Sequence, residues 1–171
     1  RALGLLAISL VAVSVIRHAG WGPQLSIRVT LESLRILFLI LIIRVVLKHI
    51  IRTRSVTIDM ILGAVCVYLM MAGVFAEAYR ILDMLDPHAI QFIDETVAAD
   101  LPKGYTEDRY VYFSMVTLTT LGFGDIVPIS SVARALVQIE AIIGQLYVAV
   151  VLAFLVGKYV SDAEERAAAS Q

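Results

Sequence analysis

The chain has 171 residues and a formal net charge of −1, and 60% of its residues are hydrophobic against 17% charged. An ordinary soluble domain has roughly 45–50% apolar and about 25% charged residues, and a small soluble domain cannot bury so much apolar surface. This composition argues against a soluble enzyme, a disordered chain and a nucleic-acid-binding protein. We therefore expect a membrane protein that lies in a lipid bilayer.

Charged residues divide the chain into four candidate membrane spans. The first, residues 2–16, is short for a bilayer, which needs about 20 residues. Because no Met precedes it, we expect the sequence to begin inside a longer helix, with a signal peptide as the alternative. Residues 17–23 resemble an interfacial turn. The other spans are residues 31–51, 60–76 and 132–159.

The connections between these spans carry opposite charges. The connection after the second span is basic, whereas residues 80–110 carry seven acids against three bases. Basic connections face the cytoplasm, which places both termini of this multi-pass chain there. The second span carries four bases, Arg35, Arg44, Lys48 and Arg52. The last three cluster at its cytoplasmic end, which favours snorkelling anchors over a voltage sensor.

The acidic connection also contains a helix signal. Asp86 followed by Pro87 is typical of an N-cap and the first residue of a helix. Ile90, Ile93 and Val97 would share one face of that helix. The pattern predicts a short amphipathic helix whose acidic neighbours raise the local cation concentration.

The stretch between Arg109 and Arg134 is apolar, but its residues are unsuited to a span. Gly122 and Gly124 break a helix, and Asp125, the only charge, is costly in lipid. Irregular backbone at membrane depth is tolerated where protein buries it or where it lines a water-filled path. We therefore predict a re-entrant loop, with a short helix over residues 110–118 and an extended return over 119–125.

Residues 117–125 read T-L-T-T-L-G-F-G-D. Glycines at alternate positions allow backbone conformations in which successive carbonyls turn toward one axis, and a Thr adds a hydroxyl oxygen. Four such segments around an axis would form rings of neutral oxygens that replace the water around a large monovalent cation. A divalent site would use carboxylates as direct ligands, and the segment offers only Asp125.

Residues 120–125 resemble the T-x-G-[YF]-G-D selectivity filter of potassium channels. A longer likeness, over residues 56–160, is to bacterial potassium channels with a two-helix pore module. It includes residues 57–64, 112–114 and 144–147. The resemblance implies two peripheral helices in 1–55, an outer helix 57–82, an outer segment 83–107, a pore helix 108–119, a filter 120–125, an inner helix 132–159 and a cytoplasmic tail 161–171.

The fold class implied is an all-α membrane protein with four transmembrane helices, a re-entrant pore helix and an extended filter. Four identical chains would surround one pore in the plasma membrane of a bacterium. The function implied is passive conduction of K⁺, with K⁺ ions in the filter and neither a cofactor nor covalent chemistry. The alternatives are a less selective monovalent cation channel and a secondary transporter, which would show paired broken helices.

The resemblance also implies roles for individual residues. The carbonyls of Thr120, Leu121, Gly122 and Phe123 and the Thr120 hydroxyl would coordinate K⁺. Phe123 replaces a commoner Tyr, and Val116 stands where some relatives carry a Glu that pairs with the motif's Asp, so we expect weaker side bracing. Gly124 completes the filter and Asp125 marks the outer mouth, while the expected filter supports are Tyr112, Phe113, Val116 and Thr119.

Two residues of the inner helix have two interpretations each. Gly144 lies twenty residues after Gly124, where the family has a hinge glycine; close helix packing is the alternative, and Gly157 is a weaker hinge candidate. Glu140, one turn earlier, is expected at lipid depth. It either hydrogen-bonds to pore-helix hydroxyls such as Ser114 or Thr117, or acts as a proton- or ion-sensitive brace behind the filter.

Overall fold

The computed structural model describes residues 25–52, 57–93 and 105–169. This part of the chain is mostly helical. The predicted first span, residues 2–16, lies outside it, as does the turn at 17–23. The elements are α1 (Leu25–Arg52), α2 (Ile58–Leu85), β1 (Ile90–Phe92), α3 (Tyr105–Leu118), β2 (Ile126–Pro128), α4 (Ser131–Leu146), a π-helical segment (Tyr147–Leu152) and α5 (Ala153–Ala169).

Helices α1 and α2 pack side by side in opposite directions. A Cβ atom on Gly63 of α2 would lie 3.8 Å from Val46, and a Cβ atom on Gly73 would lie 3.5 Å from Leu39. Small residues at a helix interface let the two backbones approach closely. The predicted second span, 31–51, therefore lies within α1, which is 28 residues long.

A buried ionic cluster joins the same two helices. Arg35 of α1 lies 3.3 Å from Glu77 of α2, and Arg80 lies 2.8 Å from the other oxygen of Glu77. Glu32, whose side chain is 2% exposed, pairs with Arg35 at 3.1 Å and with Arg80 at 3.7 Å. Two acids and two bases thus balance in charge. This neutrality permits charged groups at a helix interface of so apolar a chain.

Two helices in the described ranges are long and apolar enough to cross a membrane. They are Ile58–Leu85 and Ser131–Asp162. The second begins at Ser131 because the Ser130 side chain caps it, accepting a hydrogen bond of 3.1 Å from the backbone N–H of Ala133. It continues through the π-helical segment, where the hydrogen-bonding pattern shifts by one residue.

A hydrophobic core joins the short helix α3 to four other elements. Five of its six buried residues come from α2, β1, α3, β2 and α4, and the sixth, Ala89, directly precedes β1. The strands β1 and β2 pair in antiparallel register and close one side of this core. The cluster consists of Tyr79, Ala89, Ile90, Phe113, Ile126 and Ala133.

The predicted helix after Asp86 and Pro87 is wrong. Asp86 ends α2, and its side chain accepts a hydrogen bond of 3.2 Å from the backbone N–H of His88, which forms a turn. Ile90 then begins strand β1 and is buried in the core. Strand pairing therefore prevailed over the helical spacing of the apolar residues. Val97 lies outside the described residues.

Other boundaries differ from the prediction by a few residues. Helix α2 ends three residues later than the predicted 57–82, and α3 begins and ends earlier than 108–119. The largest difference is at the end of the chain. Residues 161–169, predicted as a separate polar tail, continue the helix in α5.

The ionic cluster gives a first prediction. Replacing Arg35 by Met should lower the free energy of unfolding by roughly 3 kcal/mol, because it leaves a buried carboxylate without one of its cations. Chemical denaturation in detergent micelles measures this difference. Arg28→Met is the matched control, since Arg28 is exposed on the same helix, and we expect a change within about 0.5 kcal/mol. Equal stability of the two variants would contradict this account of the cluster.

Candidate functional site

The backbone of residues 119–125 alternates in handedness. Thr120, Gly122 and Gly124 have φ angles of 57°, 59° and 80°, whereas Leu121 and Phe123 between them have negative φ. In an ordinary strand, successive peptide groups alternate from side to side. A left-handed residue at every second position reverses every second peptide, so that neighbouring carbonyls can face the same way. The two glycines thus adopt backbone conformations that the glycine spacing allows, and Thr120 adds a third left-handed residue.

The end of α3 holds the first half of this segment. The backbone N–H of Thr120 donates to the Thr117 carbonyl over 2.9 Å. The N–H groups of Leu121 and Gly122 both donate to the Val116 carbonyl, over 2.9 and 3.4 Å. Carbonyls at a helix C-terminus have no partner within the helix. Here the N–H groups of residues 120–122 bind two of these carbonyls, and the same hydrogen bonds hold the segment against the end of α3.

Asp125 holds the other end. Its side chain accepts hydrogen bonds from the Tyr112 hydroxyl, at 2.8 Å, and from the backbone N–H of Ile126, at 3.1 Å. Its carbonyl accepts one of 2.9 Å from the backbone N–H of Ile93, beside strand β1. The bond to Asp125 raises the pKa of the Tyr112 hydroxyl above its usual value. The hydroxyl therefore remains a donor at neutral pH.

The sequence predicts weaker bracing of this segment because of Phe123 and Val116. Both residues nevertheless make contacts that support it. Val116 lacks a carboxylate, but its carbonyl binds the segment directly. Phe123 lacks a hydroxyl, but its ring stacks on Tyr112 with a centroid distance of 6.4 Å and an interplanar angle of 7°. Tyr112 supplies the hydroxyl that reaches Asp125. Sequence reasoning named Tyr112 as a support without identifying this partner.

The two other predicted supports have different positions. Phe113 packs on Tyr79 in the core, with ring centroids 4.9 Å apart. Thr119 donates its hydroxyl to the Met115 carbonyl, at 2.7 Å, within the last turn of α3. Phe113 thus positions the helix, and Thr119 helps to end it.

Sequence reasoning missed Gln145. Its side-chain amide donates a hydrogen bond of 3.2 Å to the hydroxyl oxygen of Thr120. A signal was present, since Gln145 is a polar residue next to Gly144 in an otherwise apolar stretch. The contact brings the α4 helix to the inner end of the segment.

Gly144 packs directly against the last residue of α3. A Cβ atom there would lie 2.5 Å from the Leu118 carbonyl oxygen and 2.9 Å from the Leu118 side chain. The same carbonyl accepts a hydrogen bond of 3.1 Å from the Tyr68 hydroxyl of α2. Close packing therefore explains this glycine, and a hinge at Gly144 stays a prediction. The helical irregularity begins three residues later, at Tyr147.

Glu140 lies one turn before Gly144 and is fully buried. Ser114 of α3 contacts one of its carboxyl oxygens, the contact that the first interpretation of Glu140 expected. The other oxygen accepts a hydrogen bond from the Tyr79 hydroxyl of α2, which the sequence did not indicate. Glu140 thus joins three helices.

Partial charges of the backbone, rather than a cluster of ionised side chains, set the electrostatic potential near residues 119–125. The C-terminus of α3, at Leu118, carries partial negative charge from its helix dipole. Among the described residues no group of His, Cys, Asp and Glu side chains is arranged to hold a metal ion.

Residues 101–161 match the family model described as an ion channel. The match contains α3, residues 119–125 and most of the helix that begins at Ser131. No curated protein and no solved structure matches the chain. The family match, together with two helices long enough to cross a membrane, supports a membrane-embedded ion channel.

The contact of Gly144 with Leu118 gives a second prediction. Gly144→Ala should lower the free energy of unfolding by about 1–3 kcal/mol, because the added methyl group overpacks against a fixed backbone carbonyl. Denaturation in detergent micelles again provides the measurement.

Gly157→Ala is the matched control for this variant. It lies on the same long helix, and nothing lies within 4 Å of the position that its Cβ would take. Since Ala favours a helix over Gly by about 1 kcal/mol, this variant should be neutral or more stable. Equal effects of the two substitutions would show that the contact with Leu118 is unimportant.

Proposed function

We propose that this chain is one subunit of a potassium-selective channel that conducts K⁺ passively across the membrane. The observation that carries the proposal is the alternating left-handed backbone at Thr120, Gly122 and Gly124. It occurs in the segment that resembles a potassium-channel filter, within the stretch that matches the ion channel family. No covalent step and no cofactor is needed for this function.

The chemistry of the segment supports K⁺ as the ion. The candidate ligands are the carbonyls of residues 120–123 and the hydroxyl of Thr120, which carry no net charge. Rings of such oxygens replace the hydration shell of a large monovalent cation. Asp125, the one acid, is held by Tyr112 and Ile126. Its carboxylate therefore serves the outer mouth rather than the ion column.

Four copies of the chain are proposed to form the pore. One segment supplies a single strand of carbonyls, whereas a ring around an ion needs several. The side chains of Leu121 and Phe123 are 59% and 63% exposed in the single chain. Large apolar groups so exposed beside a functional segment favour burial against another surface, and neighbouring copies around the pore axis would provide it.

The proposed topology follows the charges of the sequence. The helix α2 and the helix from Ser131 form the outer and inner helices of the pore module, and α1 lies peripheral to them. With the basic end of α1 in the cytoplasm, the filter opens to the outside of a bacterial plasma membrane. The first span at residues 2–16 would complete four membrane crossings.

The proposal gives a third prediction, on selectivity. Gly122→Ala should abolish K⁺ current, because an L-residue at φ 59° is disfavoured by roughly 1–2 kcal/mol in every subunit. The test is the reversal potential of the reconstituted protein in planar bilayers with K⁺ on one side and Na⁺ on the other. Gly157→Ala is the control and should keep the parent selectivity. An unchanged preference for K⁺ over Na⁺ in Gly122→Ala would overturn the assignment of the filter.

The same recordings distinguish the alternatives. Discrete current steps would exclude the secondary transporter, since a carrier moves its ion in slow cycles. A reversal potential near zero in the parent protein would favour the less selective cation channel. Cross-linking of the purified protein tests the assembly, and the proposal expects a largest product of four subunits.

A further inference from the structure

Glu140 takes part in a series of polar contacts between helices. If its carboxyl group is ionised, these contacts have one hydrogen too few for each of them to be a hydrogen bond. The carboxyl lies between α2 and α3, and the residue is 0% exposed. One of its oxygens contacts the Ser114 hydroxyl, and the other accepts the hydrogen bond of Tyr79. The Ser114 hydroxyl also lies 2.8 Å from the backbone carbonyl oxygen of Ala72 in α2. Each of these contacts is within hydrogen-bond distance.

The number of hydrogens decides how these contacts are made. A serine hydroxyl has one hydrogen to donate, whereas a carbonyl and an ionised carboxylate only accept. With Glu140 ionised, the single hydrogen of Ser114 would have to serve both Glu140 and Ala72. With Glu140 protonated, Glu140 donates to Ser114, and Ser114 donates to Ala72. Every polar atom then has its partner.

The surroundings of Glu140 give an independent reason. Two of the described arginines, Arg35 and Arg80, pair with Glu32 and Glu77 rather than with Glu140. Among the described residues, the titratable groups that face Glu140 are Tyr79 and Tyr68, both from α2, and α3 presents the non-ionising Ser114. A buried carboxylate without a cation is strongly disfavoured relative to its neutral form.

We propose that Glu140 binds a proton in the folded protein and that this proton completes a relay from Glu140 through Ser114 to Ala72. Tyr79 donates to the remaining oxygen of Glu140. The proton is thus a bound ligand that ties α4, α3 and α2 together. Glu140 is a positioning residue for α3, because Ser114 lies one turn before Leu118, from which the proposed filter continues. After loss of the proton, the single hydrogen of Ser114 can serve only one of its two partners. Helix α3 then loses its hydrogen bond either to Ala72 of α2 or to Glu140 of α4.

Infrared spectroscopy of the purified protein in lipid tests the proton directly. A protonated carboxyl group has a carbonyl stretching band that a carboxylate lacks. At neutral pH the parent should show such a band, and Glu140→Gln should lack it. Glu140→Gln is suited to the test because its amide has a donor NH₂ group for Ser114 and an acceptor oxygen for Tyr79, and cannot ionise. The absence of a band difference between the two proteins would overturn the proposal.

Asp83→Asn is the matched control. Asp83 also accepts a tyrosine hydrogen bond, of 2.7 Å from Tyr110, but it is not fully buried. Its substitution should leave the band in place, and loss of the band in Asp83→Asn instead would overturn the assignment to Glu140. The measurement needs no ion flux. Its failure would leave the proposed channel function standing, and failure of the channel function would leave this result standing.

Stability against pH gives a second readout. In the unfolded chain a glutamate ionises above about pH 4.3, while Glu140 in the folded protein keeps its proton. Folding then takes up a proton, so rising pH favours the unfolded chain. From pH 5 upward, the unfolding equilibrium constant of the parent should rise about tenfold per pH unit relative to Glu140→Gln, until the folded carboxyl itself ionises. Parallel pH curves for the two proteins would overturn the proposal.

Discussion

The left-handed backbone at every second residue of 119–125 is the constraint on which the remaining structure depends. Thr120 adopts a φ of 57°, which is disfavoured by roughly 1–2 kcal/mol for an L-residue. The segment is neither helix nor strand, so no regular hydrogen bonding of its own stabilises this conformation. Such backbone persists only where the surroundings determine it from several sides. Its two ends are accordingly fastened, one to the Val116 and Thr117 carbonyls and the other through Asp125.

Those anchors hold the segment only if α3 itself stays in place. Three contacts hold α3 against neighbouring helices: Phe113 against Tyr79, Ser114 against Glu140, and Leu118 against Gly144. All three partners lie on α2 or on the helix that begins at Ser131. The two helices long enough to cross a membrane thus form the frame of α3. The buried ion pairs in turn hold α1 against α2, on which α3 packs.

The sequence predicted the parts of this arrangement that depend on neighbouring residues. The glycine spacing of 122 and 124 indicated the backbone reversal, because φ is a local property. It did not predict strand β1, since Asp86 and Pro87 suit a turn as well as a helix start, and the pairing partner of Ile90 is Pro128. Nor did it indicate that Tyr79 binds Glu140, 61 residues away. Hydroxyl and carboxyl groups acquire such partners only through the packing of whole helices.

The proposed filter depends on its backbone more than on its side chains. The proposed ion ligands are mostly carbonyl oxygens, which every residue type carries, so the sequence acts on them through φ and through the supports around them. Phe123 in place of a Tyr changes no carbonyl. The hydroxyl that Phe123 lacks is present on Tyr112, which stacks on the Phe123 ring and hydrogen-bonds to Asp125. One aromatic pair therefore braces the Asp125 end of the segment from α3, so bracing there does not require a carboxylate at Val116.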